Sequence, residues 1–104
     1  MKLKLVCQNP LASPREIVVD RFPVELGRGH DATIQIDDRW LSRRHCRIDV
    51  AEGTLRVCDL GSRHGTYVNG QSVLESQLLP GDELHVGLLH FVAVYEAESA
   101  CLAR

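Results

Sequence analysis

The chain has 104 residues, enough for one domain with a single core and too few for two. Apolar residues make up 44% and charged residues 25%, the range of an ordinary globular domain, with a formal net charge of −2. That balance argues against nucleic acid or an anionic membrane as the general partner, but it is compatible with a local anion site on a mildly acidic protein.

Met1-Lys2-Leu3-Lys4-Leu5-Val6 alternates apolar and basic groups as a strand does and carries no apolar run of the kind that opens a secretory signal. The same period-two pattern recurs along the chain, with little sustained helical periodicity. It predicts strands over residues 2–7, 16–20, 23–27, 33–36, 45–50, 54–58, 66–68, 71–73, 83–86 and 90–95. Asn9-Pro10, Glu52-Gly53, Asn69-Gly70 and Pro80-Gly81-Asp82 supply the turns, and Asn69-Gly70 is the strongest hairpin signal. Residues 37–42 break the alternation and are expected to form a single helical turn. Many short strands at such intervals predict an all-β sandwich of two twisted antiparallel sheets, with about ten or eleven strands. Residues 1–97 are expected to form the domain and the alanine-rich residues 98–104 a short C-terminal tail.

The longest uncharged apolar runs are far too short to span a bilayer. Cys7, Cys46, Cys58 and Cys101 form no C-x-x-C pair and no zinc-like spacing, so no metal is expected. Cys7 shares a strand face with Leu3 and Leu5, and Cys46 shares one with Ile48 and Val50. Both are expected as buried free thiols, which suits a reducing cytoplasm.

Three motifs fall between strands: Gly27-Arg28, then Ser42-Arg43-Arg44-His45, then Ser62-Arg63-His64-Gly65-Thr66 running on to Asn69-Gly70. Arg28, Arg39, Arg43, Arg44 and Arg63 lie in or beside these loops, diluted by Asp37, Asp38 and Asp59. Arginine, serine hydroxyl and further polar donors brought together from three loops suit a small, doubly charged, oxygen-rich ligand, which is a phosphate. Gly27 permits a sharp turn at the strand end, and the planar guanidinium of Arg28 offers two parallel donors. No nucleophile elbow or orienting carboxylate accompanies Ser42 and His45, and the chain lacks a paired-carboxylate motif or metal-ligand cluster, so an enzyme is not expected.

The order and spacing of these motifs resemble those of the forkhead-associated (FHA) domain, a family of β-sandwiches that bind phosphothreonine in partner proteins. The resemblance runs from about Val24 to about Tyr95. It implies that Arg28 and Ser42 contact phosphate directly, that Arg44 adds charge to phosphate or peptide, and that Arg43 faces solvent. His45 is implied as a scaffold residue, with Gly27, Gly65, Thr66, Asn69 and Gly70. His64 stands where many relatives have an asparagine that clamps the peptide backbone; a histidine ring donates and accepts, so it replaces that amide in part. Arg63 stands where relatives often have a serine or threonine that touches phosphate, and two readings are open: it strengthens the phosphate site, or it lies over the surface. Trp40 also has two readings, as a specificity residue sensing the peptide downstream of the phosphothreonine or as filling for the core edge.

The resemblance therefore implies a phosphothreonine-binding signalling adaptor in a Ser/Thr kinase pathway, without catalysis or cofactor. Its partner would be a phosphothreonine-containing protein or the kinase itself. The alternative is a phosphate-independent interaction or oligomerisation module on the same scaffold.

Overall fold

Strand alternation in this chain sorts side chains into a core and two outer surfaces. Leu3, Leu5 and Cys7 point inward from the first strand while Lys2, Lys4 and Val6 point outward. The computed structural model describes residues 2–9 and 15–96, in which eleven strands form two sheets packed face to face. The strands are β1 (Lys2–Cys7), β2 (Glu16–Val19), β3 (Val24–Gly27), β4 (Ile34–Gln35), β5 (Cys46–Ala51) and β6 (Thr54–Asp59). They continue with β7 (Thr66–Val68), β8 (Gln71–Val73), β9 (Glu75–Leu78), β10 (Glu83–Val86) and β11 (Leu89–Glu96). One sheet has the order β2-β1-β11-β10-β7-β8 and the other β4-β3-β5-β6-β9.

The core lies between the sheets. Leu26, Ile48, Leu55, Val57 and Leu78 from one sheet meet Leu3, Leu5, Leu84, Val86 and Phe91 from the other. Each fully buried side chain of this kind contributes roughly 1.5–3 kcal/mol relative to an exposed position. Tyr95 ties the layers together, because its hydroxyl donates to Leu78 O and accepts Leu55 N–H at 3.1 Å. On the outer surface of the second sheet, Arg56 binds both carboxylate oxygens of Asp49, at 3.1 and 3.0 Å, and also reaches Glu75.

Ten of the eleven strands match the expected runs to within two residues; β9 is the addition. Its sequence, Glu-Ser-Gln-Leu, buries Leu78 alone, so hydrophobic alternation is almost absent and its pairing with β6 holds it in place. One pairing, β3 with β4, is parallel rather than antiparallel. Asp38–Leu41 forms a single hydrogen-bonded turn instead of a helical one: Leu41 N–H donates to Asp38 O at 3.0 Å, and Asp38 Oδ1 accepts Trp40 N–H at 2.8 Å. That aspartate caps its own turn and offers the backbone an alternative to a helix.

Asn69 and Gly70 both take positive φ, 52° and 83°, the mirror-image hairpin turn that their residue types favour. Cys7, Cys46 and Cys58 are buried free thiols. Residue 10, Cys101 and the expected tail 98–104 lie outside the described residues. No helix among the described residues is long and apolar enough to cross a membrane.

Candidate functional site

The loops after β3, before β5 and between β6 and β7 are stitched together by backbone. Arg28 N–H donates to Ser42 O at 2.9 Å and Gly29 N–H to Arg43 O at 3.0 Å, so the β3–β4 and β4–β5 loops run side by side. Gly27 makes this possible, since a Cβ there would stand 2.1 Å from Arg43 O. His45, with no exposed surface, joins the third loop. Its Nδ1 accepts Ser42 N–H at 3.1 Å, which puts the ring proton on Nε2, and Nε2–H then donates to Gly65 O at 2.8 Å.

Asp59, at the end of β6, organises the β6–β7 loop. Its Oδ2 accepts Gly61 N–H and Ser62 N–H, each at 3.0 Å, and its Oδ1 accepts the hydroxyls of Ser62 and Thr66 at 2.5 and 2.8 Å. Burial alone would push this carboxyl up, but the hydrogen bonds together outweigh it and hold Asp59 below the ordinary aspartate value. Ser62 Oγ in turn accepts Gly65 N–H at 2.9 Å. Thr66 is fully buried beneath the loop.

The three loops enclose a pocket of about 110 Å³ lined by Arg28, Arg39, Trp40, Leu41, Ser42, Arg63 and His64. Arg28 donates Nε–H to Leu41 O at 3.1 Å, which fixes the guanidinium plane and keeps its two Nη groups for a ligand. Ser42 Oγ accepts Arg63 N–H at 2.9 Å, so its own proton remains available for donation. Among the described residues, three arginines and no carboxylate line this pocket. Such a lining attracts a compact dianion.

Arg28, Ser42, Arg63 and His64 of the expected ligand set are thus brought together, while Arg44 is not. Glu25 draws it away: Arg44 Nε and Nη2 bind the two carboxylate oxygens at 2.8 and 2.7 Å, and this pairing holds the Glu25 carboxyl below its usual range. Arg43 is exposed. Trp40 is 38% exposed rather than filling the core edge. Its ring meets His64 edge-on with centroids 5.3 Å apart, and the Arg39 guanidinium lies 5.4 Å from its centroid. Asn69 is turned from the pocket toward β10, where its Oδ1 accepts Glu83 N–H at 3.0 Å and its Nδ2 donates to Asp82 at 3.1 Å.

Three contributors were given no role in the site from sequence. Asp59 had a signal, an aspartate three residues before Ser62 across a glycine, which is an Asx-turn pattern. Arg39 had only its charge. Gly87 had none: a Cβ there would meet Leu41 Cδ1 at 2.9 Å and Trp40 backbone at 3.1 Å, a contact between segments far apart in sequence.

The described residues contain no group of three or more His, Cys, Asp or Glu able to hold a metal ion. Burial pushes the Cys46 thiol up to about 12, aided by Asp59 and Cys58, so it stays protonated near neutral pH.

A two-sheet sandwich with an arginine–serine pocket at its loop end defines a binding module, and the chain belongs to the FHA family, whose domain model matches residues 24–87. It is 37% identical over 90 residues to the glycogen accumulation regulator GarA of Mycolicibacterium smegmatis, covering 86% of this chain and 56% of that protein. It is 36% identical over 90 residues to the oxoglutarate dehydrogenase inhibitor of Corynebacterium efficiens, covering 86% of this chain and 63% of that one. The chain therefore spans somewhat over half the length of these curated relatives.

Among solved structures, an FHA domain from a structural and functional analysis of phosphothreonine-dependent interactions superposes with TM-score 0.81 at 28% identity, covering 94% of this chain and all of the other. The FhaA FHA domain complexed with the intracellular domain of Rv3910 superposes with TM-score 0.76 at 31% identity, covering 88% and 98%.

Proposed function

We propose that this domain binds phosphothreonine in a partner protein and acts as a non-catalytic regulator or adaptor in a Ser/Thr kinase pathway. The observation that carries this reading is the loop pocket, with Arg28, Arg39 and Arg63 around the Ser42 hydroxyl and no carboxylate in its described lining. Arg28 and Ser42 take the phosphate, Arg63 adds charge above it, and His64, braced against Trp40, grips the neighbouring peptide backbone. Relatives named for regulation and inhibition, and a phosphothreonine-dependent FHA structure among its likenesses, support the same reading.

The energy scale fits reversible recruitment. A phosphothreonine carries roughly −1.5 to −2 charges near neutral pH. Three charge-assisted hydrogen bonds contribute about 5–9 kcal/mol before ordering costs. Micromolar affinity corresponds to about 8 kcal/mol, so peptide on either side of the phosphate must supply the remainder and the selectivity.

Fluorescence anisotropy against a degenerate phosphothreonine library, with phosphoserine and unphosphorylated versions alongside, tests this reading. Binding confined to phosphothreonine and abolished by Arg28→Ala is the expected result. Absence of phosphopeptide binding by folded protein up to millimolar concentration would leave the phosphate-independent interaction module, the alternative that the histidine at position 64 keeps open.

A further inference from the structure

Arg28 has a second neighbour besides the phosphate pocket. It also lines a wider basin of about 600 Å³, together with Gly29, His30, Asp31, Arg43 and Arg44. We infer that this basin is a second anion subsite, and that the domain selects phosphothreonine peptides carrying an additional anionic side chain, a carboxylate or a second phosphate, on one side of the phosphothreonine. This inference rests on the proposed phosphothreonine binding and deepens it.

Backbone geometry builds the basin. Gly29 N–H holds Arg43 O at 3.0 Å, and a Cβ on Gly29 would stand 3.1 Å from Arg43 Cβ. The bare glycine therefore lets the root of Arg43 sit close against the β3–β4 loop, with its side chain exposed at the lip. Arg44 also lines the basin, with its Nε and Nη2 held by Glu25. Gln35 Nε2 donates to Arg28 O at 3.0 Å and lies 3.5 Å from His30 Nδ1, tying together the loop that carries both lining residues. Arg28, Arg43 and Arg44 thus line the basin with one carboxylate, Asp31; Arg28 is shared with the smaller pocket and Arg44 is paired with Glu25, so Arg43 is the arginine on which an added anion chiefly depends.

The two cavities differ in a way that sorts their ligands. The phosphate pocket, at about 110 Å³, is tight enough for short bonds to one compact dianion. The basin is several times larger and partly compensated by Asp31, so it would bind a free anion weakly. Tethering changes that: once phosphothreonine is seated, a neighbouring acidic side chain is presented at high effective concentration and needs no affinity of its own. An extended peptide advances about 3.3–3.6 Å per residue, which brings side chains within roughly four positions of the anchor into range. A nucleic acid fits less well, because the chain is negative overall and the basin is a single notch rather than a track.

The test is an anisotropy titration of one phosphothreonine peptide with neutral flanks. A series then places one glutamate in turn at each of about four positions on either side. A second arm places phosphoserine at the best position, which distinguishes a carboxylate from a second phosphate as the preferred group. The quantity read is the ratio of acidic to neutral peptide affinity, in the parent domain and in Arg43→Gln and Asp31→Asn, two changes at exposed side chains.

Glutamate on one side should strengthen binding about threefold to tenfold, with the gain shrinking as salt rises. Arg43→Gln should erase most of that ratio and Asp31→Asn should enlarge it. If the neutral phosphothreonine peptide binds but no position gains, or all gain alike, or Arg43→Gln leaves the ratio intact, the second subsite is wrong and phosphothreonine binding stands. If folded protein binds no phosphothreonine peptide at all, both readings fall.

Discussion

Arg63 donates its backbone N–H to the hydroxyl oxygen of Ser42 across 2.9 Å, joining two loops that are 21 residues apart in the chain. One small side chain therefore has two tasks. Its lone pair fixes the height of the Arg63 loop over the pocket, and its proton is left for the ligand. Ser42→Ala should lower phosphopeptide affinity roughly tenfold to a hundredfold, the worth of one charge-assisted hydrogen bond. Thermal stability should fall by no more than about 1.5 kcal/mol, since the stranded N–H lies at the surface. Anisotropy and thermal denaturation on the same sample separate the two effects; equal affinity would remove Ser42 from the ligand set.

His45 should behave in the opposite way, with a large effect on stability. Its ring is fully buried and bonded at both nitrogens, so His45→Ala leaves a cavity and strands Ser42 N–H and Gly65 O. A loss of about 3–5 kcal/mol is expected in urea denaturation, with binding weakened because both loops lose their common brace.

Gly27→Ala tests the close approach of the loops without touching a ligand group. Its added methyl would meet Arg43 O at 2.1 Å, and the obstacle is backbone that cannot swing aside. The expected cost is about 1–3 kcal/mol or more, with loss of phosphopeptide binding because Arg43 carries Ser42 away with it. Amide hydrogen exchange at Arg28 and Gly29 would rise if the paired loops separate.

Acid should loosen the site through Asp59. The folded-state value of this carboxyl lies below the ordinary 3.8, so its stabilising contribution is complete above that value and disappears as pH falls through the folded value. Glu25 and Asp49 are lowered too, through the hydrogen bonds from Arg44 and Arg56, and add to the same acid limb. Asp59→Asn should be less stable at neutral pH and show a shallower acid limb below about pH 4. An acid limb identical to the parent's would show that the four bonds to Asp59 do not form in solution.

Arg44 and Arg28 should separate on substitution. Arg28→Ala removes a guanidinium from the lining of the loop pocket, whereas Arg44→Ala removes an exposed partner of Glu25. Against a phosphothreonine peptide with neutral flanks, Arg28→Ala should abolish measurable binding and Arg44→Ala should weaken it by less than about fivefold. Comparable losses would mean that Arg44 leaves Glu25 to join the phosphate.

Most of the scaffold can be read from residue order because its causes are local. Alternating strands need one inward and one outward face, and Asn69-Gly70 and Glu52-Gly53 supply the positive φ that two-residue hairpins require. β9 escapes such reading, since its place comes from the β6 edge it covers. The three polar motifs were legible as donor-rich loops between strands.

What sequence alone determined here is therefore the strand framework, the loop chemistry and the family resemblance, all of which follow from side-chain type and short-range backbone preference. Which donors share a pocket was decided by the tertiary structure. Glu25 and Arg44 are 19 residues apart, and Ser42 and Arg63 21 apart, so neither contact has a local signature. Both arginines look alike in sequence, and the neighbour each meets across the packed loops separates one from the other.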